Sequence, residues 1–563
     1  MKKHWVLHPS VDEAQSVASE FKIHPAIASI LLRRGIRTSA EIFRFLNPSL
    51  EHLESPFAFS DMQKAVDRIR LAVERNEKIL VYGDYDVDGI TGSSILFPIL
   101  KKIGGDVEVH IPHRIQEGYG LNRQALEKEL KKKIGLVITV DNGITGAEHV
   151  EFLNTKGVDV IIVDHHLPKD KVPPAFAIVS ASVGDKKGDP NLAACGLAFK
   201  LGWALLGGVE EVRDYLDLVA LGTVADIAPV IGDNRVLLKH GLPVLGRTKR
   251  LGLRALMDVA RVNRSSLSYR DIAFGLGPRI NASGRMGTPD NAFKLLTTDN
   301  ETLARNLAQL LDDGNRDRQR VEAAAFEEAV ELIERDERAV HEKILVLSSP
   351  EWHEGVLGIV ASRLVDRYQK PSIVISVREG IGKGSGRSVP LFSLFDCVLR
   401  CEDFLMNFGG HAQACGLTIK NENIQPFRNR LNEYAANEFN ASRAPAKLDI
   451  ESALSLADLD MNFLRDLERI APFGPGNKKP LFLSRGLRLK GETKKRGQDT
   501  LQCWMTEGKG KAVCEVVGFR AWGRWRGVKT DQPVDLVHQP ALKEFNGIPS
   551  VQLELEDWYQ ADA

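Results

Sequence analysis

Between residues 61 and 229, short apolar runs alternate with stretches of helical pattern. Three runs, 79–82, 136–140 and 160–163, are almost wholly apolar, and each is followed within two residues by acidic or imidazole side chains. Strands that alternate with helices form a parallel sheet covered on both faces, and strands buried in this way are near-continuous apolar runs. Ligands of such sheets bind at the carboxyl ends of the strands. The pattern therefore predicts an α/β fold with its functional groups at that edge.

The run 79–82 leads into an acidic segment, residues 83–89, that reads Gly-Asp-Tyr-Asp-Val-Asp-Gly. Three ionised carboxylates so close together repel one another unless cations offset their charge. A solvated acidic turn is the alternative, but the apolar strand before the acids and the Gly-containing helix start after them favour a site. An EF-hand loop is disfavoured because its twelfth position would be Ile95 rather than Glu.

The other runs supply further candidate ligands. Asp141 follows the second run, and Asp164, His165 and His166 follow the third. Asp226 comes after a predicted helical run at 212–221, although its local context also fits a turn. The six candidate metal ligands are Asp86, Asp88, Asp141, His165, His166 and Asp226. Asp84 is a seventh candidate, either as a ligand or, like Asp164, as a group that orients ligands or a water.

Mixed carboxylate and imidazole ligands suit Mn²⁺, with Mg²⁺ or Zn²⁺ as alternatives, and the absence of thiolates argues against a structural zinc site. Two divalent ions about 3.5–4 Å apart are the usual device for in-line phosphodiester hydrolysis. We therefore expect a binuclear centre that takes Mn²⁺ in preference to Mg²⁺, with Asp141 as the bridging ligand.

These motifs resemble a known superfamily. The Asp-His-His triplet at 164–166, the acidic segment 83–89 and residues 140–143 and 223–226 are similar to the four motifs of the DHH phosphoesterases. Residues 408–416 resemble the Gly-Gly-His motif of the DHHA1 partner domain. From about Pro25 to the end, and especially at 279–285 and 352–355, the chain resembles the RecJ family of bacterial exonucleases.

The resemblance implies a 5′→3′ exonuclease specific for single-stranded DNA, which releases 5′-mononucleotides and works in recombination and repair. It implies catalytic roles for Asp141, His165, His166 and His411, although His411 could also be a turn histidine beside two glycines. The residues expected to bind substrate are Arg114, Arg279, Ser283, Arg285, Ser385, Arg387, Ser388, Gly409, Gly410 and His411. Many relatives have His where this chain has Tyr82, so we expect Asp84 or water to fill that coordination position.

Arginine suits recognition of a terminal 5′-phosphate because its fork bonds phosphate oxygens in pairs. Arg114 follows another predicted strand end and should face the same crevice as the metal ligands. The glycine-rich segment 380–388 matches neither a P-loop nor a dinucleotide fingerprint. It fits either a phosphate grip formed by Ser385, Arg387 and Ser388 or a structural hairpin.

The rest of the chain predicts several domains, since single cores stop growing near about 250–300 residues. We expect one long helix over 300–338 with a solvated charged face, and a C-terminal OB-fold, as in relatives. The aromatic residues Trp504, Phe519, Trp522 and Trp525 lie among basic residues there and could stack on bases, although at least half should be barrel core. The predicted divisions are a helical segment 1–55, a DHH domain 56–270, a connector 271–340, a DHHA1 domain 341–442 and an OB-fold 443–563.

Composition sets looser limits. The formal net charge is zero, but polyanion binding depends on where charges lie rather than on their sum. The six cysteines are scattered, which is typical of reduced thiols in a cytoplasmic protein, and neither a signal peptide nor a membrane span is predicted. The family resemblance implies a single-strand-binding protein and a RecQ-type helicase as partners, and we expect a monomer.

Three alternatives stay open. An oligoribonuclease or a cyclic-dinucleotide phosphodiesterase could share this metal core, but a small substrate would not need the aromatic and basic C-terminal domain. A non-catalytic replication factor could share the fold, but it would be expected to lose the metal ligands. A structural protein is the least favoured.

Overall fold

The computed structural model describes residues 3–114, 116–169, 171–185, 188–438, 447–508, 512–529, 532–545 and 548–560. The chain forms two compact units. The larger unit comprises Glu54–Ala228 and Gly241–Ser442, and the smaller comprises Met1–Leu53, Pro229–His240 and Arg443–Ala563. The helix Gly232–Gly246 contains one of the boundaries between them.

The larger unit begins with a five-stranded parallel sheet, the first sheet, as predicted. In spatial order its strands are Asp106–His110, Lys78–Tyr82, Ile134–Val140, Asp159–Val163 and Ala177–Val179. Leu126 and Val150, from two helices, share one apolar cluster with the strand residues Leu80 and Val160. Gly92, on another helix, lies so close to the sheet that a Cβ there would be 2.6 Å from a methyl group of Val140. Close packing against helices therefore fixes the positions of the strand ends.

The helices of the larger unit up to the second sheet confirm the predicted alternation. They are Met62–Glu74, Val87–Lys102, Arg123–Leu130, Ala147–Thr155, Ala194–Leu206, Leu216–Ala225, Leu251–Val259, Tyr269–Asp271, Gly277–Met286, Asp290–Thr297 and Glu301–Arg335. The last of these confirms the predicted long helix. Its charged face is not wholly solvated, because Asp312 is 1% exposed and accepts a hydrogen bond from Arg279.

A second sheet of five strands completes the larger unit. In spatial order its strands are Leu405–His411, Ala414–Lys420, Ile381–Arg387, Ser372–Arg378 and Leu345–Ser349. The helices Leu357–Tyr368, Leu394–Leu399 and Ile424–Glu438 accompany it. The strand Ile381–Arg387 forms a hairpin with Ser372–Arg378, so the hairpin interpretation of the glycine-rich segment is confirmed as local structure.

The smaller unit is built around a closed barrel. Around the barrel the strands are Phe482–Leu489, Thr500–Glu507, Ala512–Gly518, Ile548–Tyr559 and Val534–Phe545, and the last pairs with the first. Only the third and fourth of these run parallel to each other, which gives the five-stranded OB topology that the sequence predicts. Short strands Ser452–Ala453 and Lys494–Arg496 extend the sheet, and the helices Met461–Arg469 and Trp522–Trp525 lie outside it.

The N-terminal segment belongs to the same unit as the barrel. Its strand His4–Leu7 pairs in parallel with Lys447–Ile450. Its helices are Ala14–Phe21, Pro25–Arg33 and Ser39–Leu46, and their buried side chains share one core cluster with barrel residues such as Phe482 and Leu536. Among the helices of the described ranges, none combines the length and the apolar composition that a membrane crossing needs.

Candidate metal centre

Asp84 and Asp86 are fixed by the tight passage from the strand Lys78–Tyr82 into the helix Val87–Lys102. Asp86 caps that helix, and its side chain accepts hydrogen bonds from the backbone N–H groups of Asp88 at 3.0 Å and Gly89 at 3.2 Å. Gly89 is required here because a Cβ would lie 2.5 Å from the backbone nitrogen of Asp84. Asp84 is thereby held in the interior, with 2% of its surface exposed.

Asp88 is held by a helix that begins more than a hundred residues later. Its Oδ2 accepts from the N–H of Ala194 at 2.7 Å and its Oδ1 from the N–H of Cys195 at 2.9 Å. These are the first residues of the helix Ala194–Leu206, where unpaired N–H groups and the helix dipole favour an anion. The carboxylate is therefore fixed in place by two donors that favour its ionised form.

Asp141 adopts a strained backbone conformation at the end of the strand Ile134–Val140. Its φ is 64°, in the left-handed region that costs a residue other than glycine about 1–2 kcal/mol. Its N–H donates to the carbonyl of Val163 at 2.9 Å, and the side-chain amide of Asn142 donates to the carbonyls of Val140 and Tyr82. Such strain persists where the surroundings overdetermine it, which is common at functional sites.

The Asp-His-His triplet follows the strand Asp159–Val163. Asp164 accepts from the N–H of Ile144 at 3.0 Å through one oxygen, and its other oxygen lies 2.8 Å from Nδ1 of His166. The neighbouring His165 points its Nε2 at Oδ1 of Asp141, 3.2 Å away. The same nitrogen is 3.9 Å from Asp88 and 3.9 Å from Asp226, which directly follows the helix Leu216–Ala225.

The predicted ligands converge in three overlapping groups. In each group the candidate ligand atoms lie within 4.8 Å of one another, and the groups are Asp84 with Asp86 and Asp141, Asp88 with His165 and Asp226, and Asp141 with His165 and His166. Asp141 and His165 each occur in two groups. All seven predicted metal residues are thus brought together.

The donor atoms fit divalent cations. Asp84 Oδ1, Asp141 Oδ1 and His165 Nε2 are buried and have no hydrogen-bond partner among the described residues. Buried polar atoms are nearly always paired, so three such atoms in overlapping ligand groups indicate a site for a cation. The oxygen and nitrogen donors are those that Mn²⁺ and Mg²⁺ accept.

The acids also perturb one another's ionisation. Burial and the charge of Asp86 raise the pKa of Asp84 well above its usual range, and the same two causes raise the pKa of Asp141. Burial and the charge of Asp88 raise the pKa of Asp226 to about 8. Burial alone would lower the pKa of His166, but its bond to Asp164 and the charge of that carboxylate together raise it to about 9. The cluster therefore resists full ionisation unless positive charge is added.

Two tyrosines flank the centre. The hydroxyl of Tyr82 points away from the carboxylates, because it donates to the carbonyl of Gly120 at 3.4 Å and accepts from the N–H of Asn122 at 3.3 Å. Asp84 belongs to a ligand group with Asp86 and Asp141. Tyr119 was not predicted, and its hydroxyl lies 3.2 Å from Nδ1 of His166. The only sequence signal for it is the pair of flanking glycines, both of which have positive φ.

A cationic pocket of about 470 Å³ lies in the same unit. Its polar lining includes Arg114, Arg285, Ser385 and Arg387, together with Lys383 and Glu354, which pair at 3.1 Å. Nη1 of Arg387 donates to the Ser385 hydroxyl at 3.2 Å, and Nη1 of Arg285 donates to the carbonyl of Gly355 at 3.0 Å. Burial and the nearby charge of Arg114 lower the pKa of Arg285 to about 10, and the same two causes lower the pKa of Arg387. Arginines packed this closely favour an anion between them.

The glycines of the hairpin explain how the pocket is formed. A Cβ at Gly384 would lie 2.8 Å from a methyl group of Leu417, and one at Gly386 would lie 2.6 Å from the sulfur of Cys415. These glycines therefore face the packed side of the sheet. The alternate residues Ser385 and Arg387 face the pocket.

The other predicted substrate residues have partners within the fold or lie elsewhere. Arg279 donates to Asp312 at 2.8 Å. The hydroxyls of Ser283 and Ser388 donate to backbone carbonyls three and four residues away in the sequence. The exposed residues of Leu405–His411, the edge strand of the second sheet, include Gly409, Gly410 and His411. Their contacts with substrate stay predictions.

The barrel aromatics divide as predicted. Trp525 is 5% exposed, and Trp522 is partly buried against the same core. Trp504 and Phe519 are 46% and 56% exposed. The exposed basic residues of the same unit include Arg488, Arg496, Arg520 and Arg524. Lys509 and Lys511, two further basic residues of this stretch of sequence, lie outside the described residues.

Comparison with known proteins accounts for most of the chain. The family models that match are the DHH family N-terminal domain at residues 78–223, the DHHA1 domain at 341–437 and the RecJ OB domain at 450–557. The single-stranded-DNA-specific exonuclease RecJ of Bacillus subtilis (strain 168) is 34% identical over 560 residues, which cover 99% of this chain and 71% of that protein. The RecJ of Escherichia coli (strain K12) is 31% identical, and the alignment covers 97% of both chains.

Solved structures agree with the sequence relatives. The crystal structure of RecJ in complex with Mn²⁺ from Thermus thermophilus has a TM-score of 0.83 at 30% identity, covering 100% of this chain and 80% of that one. The Mg²⁺ complex of RecJ from the same organism has a TM-score of 0.77 at 29% identity, covering 100% of this chain and 79% of that one. On the strength of these matches and of the four motifs, the chain belongs to the RecJ family of single-stranded-DNA-specific exonucleases.

Proposed function

We propose that this protein is a metal-dependent exonuclease that degrades single-stranded DNA in the 5′→3′ direction and releases 5′-mononucleotides. One observation carries the proposal: Asp141 and His165 are each shared between groups of ligand atoms at the end of the first sheet. Shared ligands of this kind hold two cations close together, as in-line phosphodiester hydrolysis requires. The related Thermus thermophilus structures contain Mn²⁺ and Mg²⁺, and we propose Mn²⁺, with Mg²⁺ as a substitute, for this chain.

The overlapping groups suggest which residues serve each ion. Asp84 and Asp86 would hold one cation, Asp88 and Asp226 with His165 the other, and Asp141 would touch both. His166 is turned toward Asp164 by its ring nitrogen, so we propose that it faces substrate or completes a site when metal is present. When bound, the ions lower the pKa of water and neutralise charge on the phosphate.

The protein's own groups orient the reacting parts. Asp164 orients the ring of His166, and the N–H groups of Ala194 and Cys195 hold Asp88, so both side chains are preorganised for the reaction. The strained backbone of Asp141 aims its carboxylate at His165 rather than at solvent. We propose that His411, from the second sheet, contacts the scissile phosphate.

The cationic pocket supports recognition of the strand's end. Arg114, Arg285, Ser385 and Arg387 surround a space that suits a terminal 5′-phosphate, and arginine forks bond its oxygens in pairs. A strand with its 5′-phosphate held there would present its first internal phosphodiester to the metal centre. The 3′-oxygen of the first nucleotide would then leave, and the remaining strand would keep a 5′-phosphate.

The barrel would hold the rest of the strand. Trp504 and Phe519 offer exposed rings among basic side chains, which suits stacking without sequence preference. We also propose the five-part domain division at 55, 270, 340 and 442, a cytoplasmic monomer, and cooperation with a single-strand-binding protein and a RecQ-type helicase. The family resemblance supports the two partners, and the scattered cysteines support the cytoplasmic location.

The nuclease proposal is tested with single-stranded oligonucleotides labelled at either end. With Mn²⁺, we expect a 5′ label to appear at once as mononucleotide and a 3′ label to appear in progressively shorter strands. Asp141→Ala should lower the rate by at least about 10³-fold while DNA binding is largely retained, because the variant loses charge stabilisation and not the binding surface. Equal cleavage in chelator, or full turnover by Asp141→Ala, would contradict the metal centre.

The end-recognition proposal has its own experiment. Arg387→Ala should reduce the preference for a 5′-phosphorylated strand over a 5′-hydroxyl strand by about tenfold or more, since a charged hydrogen bond to phosphate contributes about 1.5–3 kcal/mol. Arg378→Ala, at an exposed end of the neighbouring strand, is the matched control. An unchanged preference in Arg387→Ala would rule out the phosphate grip. The nuclease proposal would still stand, because it rests on the metal centre.

A further inference from the structure

A second cavity, of about 330 Å³, opens beside the metal centre on the side of the first sheet away from Arg114. One wall is His165, a candidate ligand. Most of the others are apolar, from Leu167, Ala181, Pro190, Leu192 and Leu197, and Ser182 and Asp189 complete the lining. None of the residues proposed to hold metal or the 5′-phosphate, apart from His165, lines it.

The cavity is built into the same elements that fix the metal ligands. Leu192 and Leu197 are 2% and 1% exposed and flank the start of the helix Ala194–Leu206, whose N–H groups hold Asp88. On the opposite side, the hydroxyl of Ser182 donates to the carbonyl of His166 at 3.1 Å. The walls are therefore preformed, and their position relative to the carboxylates is set by hydrogen bonds.

The rim carries an exposed apolar side chain. Leu167 directly follows the histidine pair and is 77% exposed, although it lines the cavity mouth. A leucine held in water beside an apolar cavity gains from covering the face of a flat apolar ligand. The size of the cavity is at the lower end of small-molecule sites, which fits one ring system rather than a duplex or a peptide.

The strand order indicates which part of the DNA reaches this cavity. At one edge of the first sheet lies the strand Asp106–His110, which Arg114 follows in the sequence. At the other edge lies the strand Ala177–Val179, which Ala181 follows. The three strands that precede the metal ligands lie between these edges. Neighbouring strands are about 4.8 Å apart, so the centre of the ligand cluster is roughly 10 Å from this edge. Arg114, which lines the cationic pocket, and the cavity thus lie toward opposite edges of the first sheet, with the metal ligands between them.

We infer that this cavity binds the base of the second nucleotide, the one on the 3′ side of the phosphodiester that is cleaved. The inference rests on the proposed function, because that function places the 5′-phosphate in the cationic pocket and the first phosphodiester at the metals. The next base then falls on the Leu167 side. Walls that are mostly apolar would accept any of the four bases, and a base paired in a duplex could not enter.

The experiment measures release of the first mononucleotide in a single turnover with Mn²⁺. The substrates are 5′-phosphorylated single strands that are intact, or that carry one tetrahydrofuran abasic residue at the second or the eighth nucleotide. We expect the abasic residue at the second position to slow release about tenfold, which corresponds to roughly 50–60 Å² of apolar base surface that is no longer buried. An abasic residue at the eighth position, remote from the first cleavage, should have a smaller effect.

Two variants localise the effect. Leu167→Ala removes the exposed rim contact and should reduce the penalty of the second-position abasic residue to less than threefold, by slowing cleavage of the intact strand. Ala181→Leu fills the cavity and should do the same. Leu310→Ala, on the long helix, changes another exposed leucine and should keep the full penalty.

Equal release from intact and second-position abasic strands would overturn the inference, as would an undiminished penalty in both cavity variants. Failure of the proposed function gives a different result, because no strand of any kind would then release mononucleotide in a metal-dependent way. If the enzyme still releases mononucleotides from the 5′ end, but at the same rate with and without the second base, only the cavity assignment is contradicted.

Discussion

The two ends of the same three strands handle buried charge in opposite ways. At the amino ends, Arg68 is 6% exposed and donates to Glu77 at 2.5 Å and to Asp159 at 2.6 Å. At the carboxyl ends, Asp84 and Asp141 are 2% exposed and have like charges as neighbours. At the amino ends, the buried charges are neutralised by partners within the chain. At the carboxyl ends, the buried carboxylates are neutralised only when cations bind.

This difference separates charge that serves folding from charge that serves chemistry. The amino-end pairing connects a helix to the strands Lys78–Tyr82 and Asp159–Val163 across the one between them, so it stabilises the sheet directly. The carboxyl-end cluster destabilises the metal-free fold, because burial without a counter-charge disfavours ionised carboxylates. Packing of the buried sheet offsets this loss in the free energy of unfolding.

The largest effect on stability is expected at the amino ends. Arg68→Leu should lower the free energy of unfolding by about 3 kcal/mol, because it removes the charged hydrogen bonds to Glu77 and Asp159, each of which contributes about 1.5–3 kcal/mol. Urea denaturation measures this change. Arg75→Leu is the control, since Arg75 is 63% exposed and 3.9 Å from Glu77, and it should change stability by less than about 0.5 kcal/mol. A loss in Arg68→Leu no larger than in the control would remove the stabilising half of the comparison.

The carboxyl ends should respond to metal instead. Adding Mn²⁺ at 100 times its Kd should raise the free energy of unfolding by about 2.7 kcal/mol for one bound ion. Asp141→Asn should lose most of that gain, because Asp141 belongs to two ligand groups. Urea denaturation in Mn²⁺ and in chelator measures the gain for each variant.

Arg68→Leu serves as the matched control for the metal effect. It should keep the full gain from Mn²⁺, because distant sites without shared partners are usually additive. A full gain in Asp141→Asn would show that the stabilising ion binds elsewhere.

The contrast also shows which features of the fold can be predicted from residues that are close in sequence. Apolar runs followed at once by acids predicted the sheet, the parallel direction of its strands and the edge at which the candidate ligands gather. These ligands include Asp84, Asp86, Asp88, Asp141 and His165. This worked because strand burial and side-chain position depend on neighbours in sequence. The match to OB topology followed from the family resemblance rather than from periodicity.

Features set by distant contacts could not be predicted in this way. The left-handed backbone of Asp141 depends on its N–H bond to Val163, and the fixed position of Asp88 depends on Ala194 and Cys195. Arg279 looked like a substrate ligand, but it pairs with a buried acid on the long helix, whose charged face gave no sign of burial. Tyr119 approaches His166 from a loop with no periodic pattern.

The smallest expected effect is the pH dependence of the metal-free protein. Asp226 has a folded-state pKa of about 8, whereas an unfolded aspartate has a pKa of about 3.9. Between these values the folded state keeps a proton that the unfolded state has lost, so stability should fall as pH rises, by at most about 1.4 kcal/mol per pH unit for this group. Urea denaturation in chelator at about pH 6 and about pH 7 measures the slope. Asp226→Asn should make the slope shallower, while the raised pKa values of Asp84, Asp141 and His166 keep part of it. Arg75→Leu should leave the slope unchanged. Mn²⁺ should oppose the slope, since ions compete with protons for the same oxygens. A metal-free protein that becomes more stable over this interval would mean that the carboxyl-end acids are already compensated within the chain, and the contrast between the two edges would not hold.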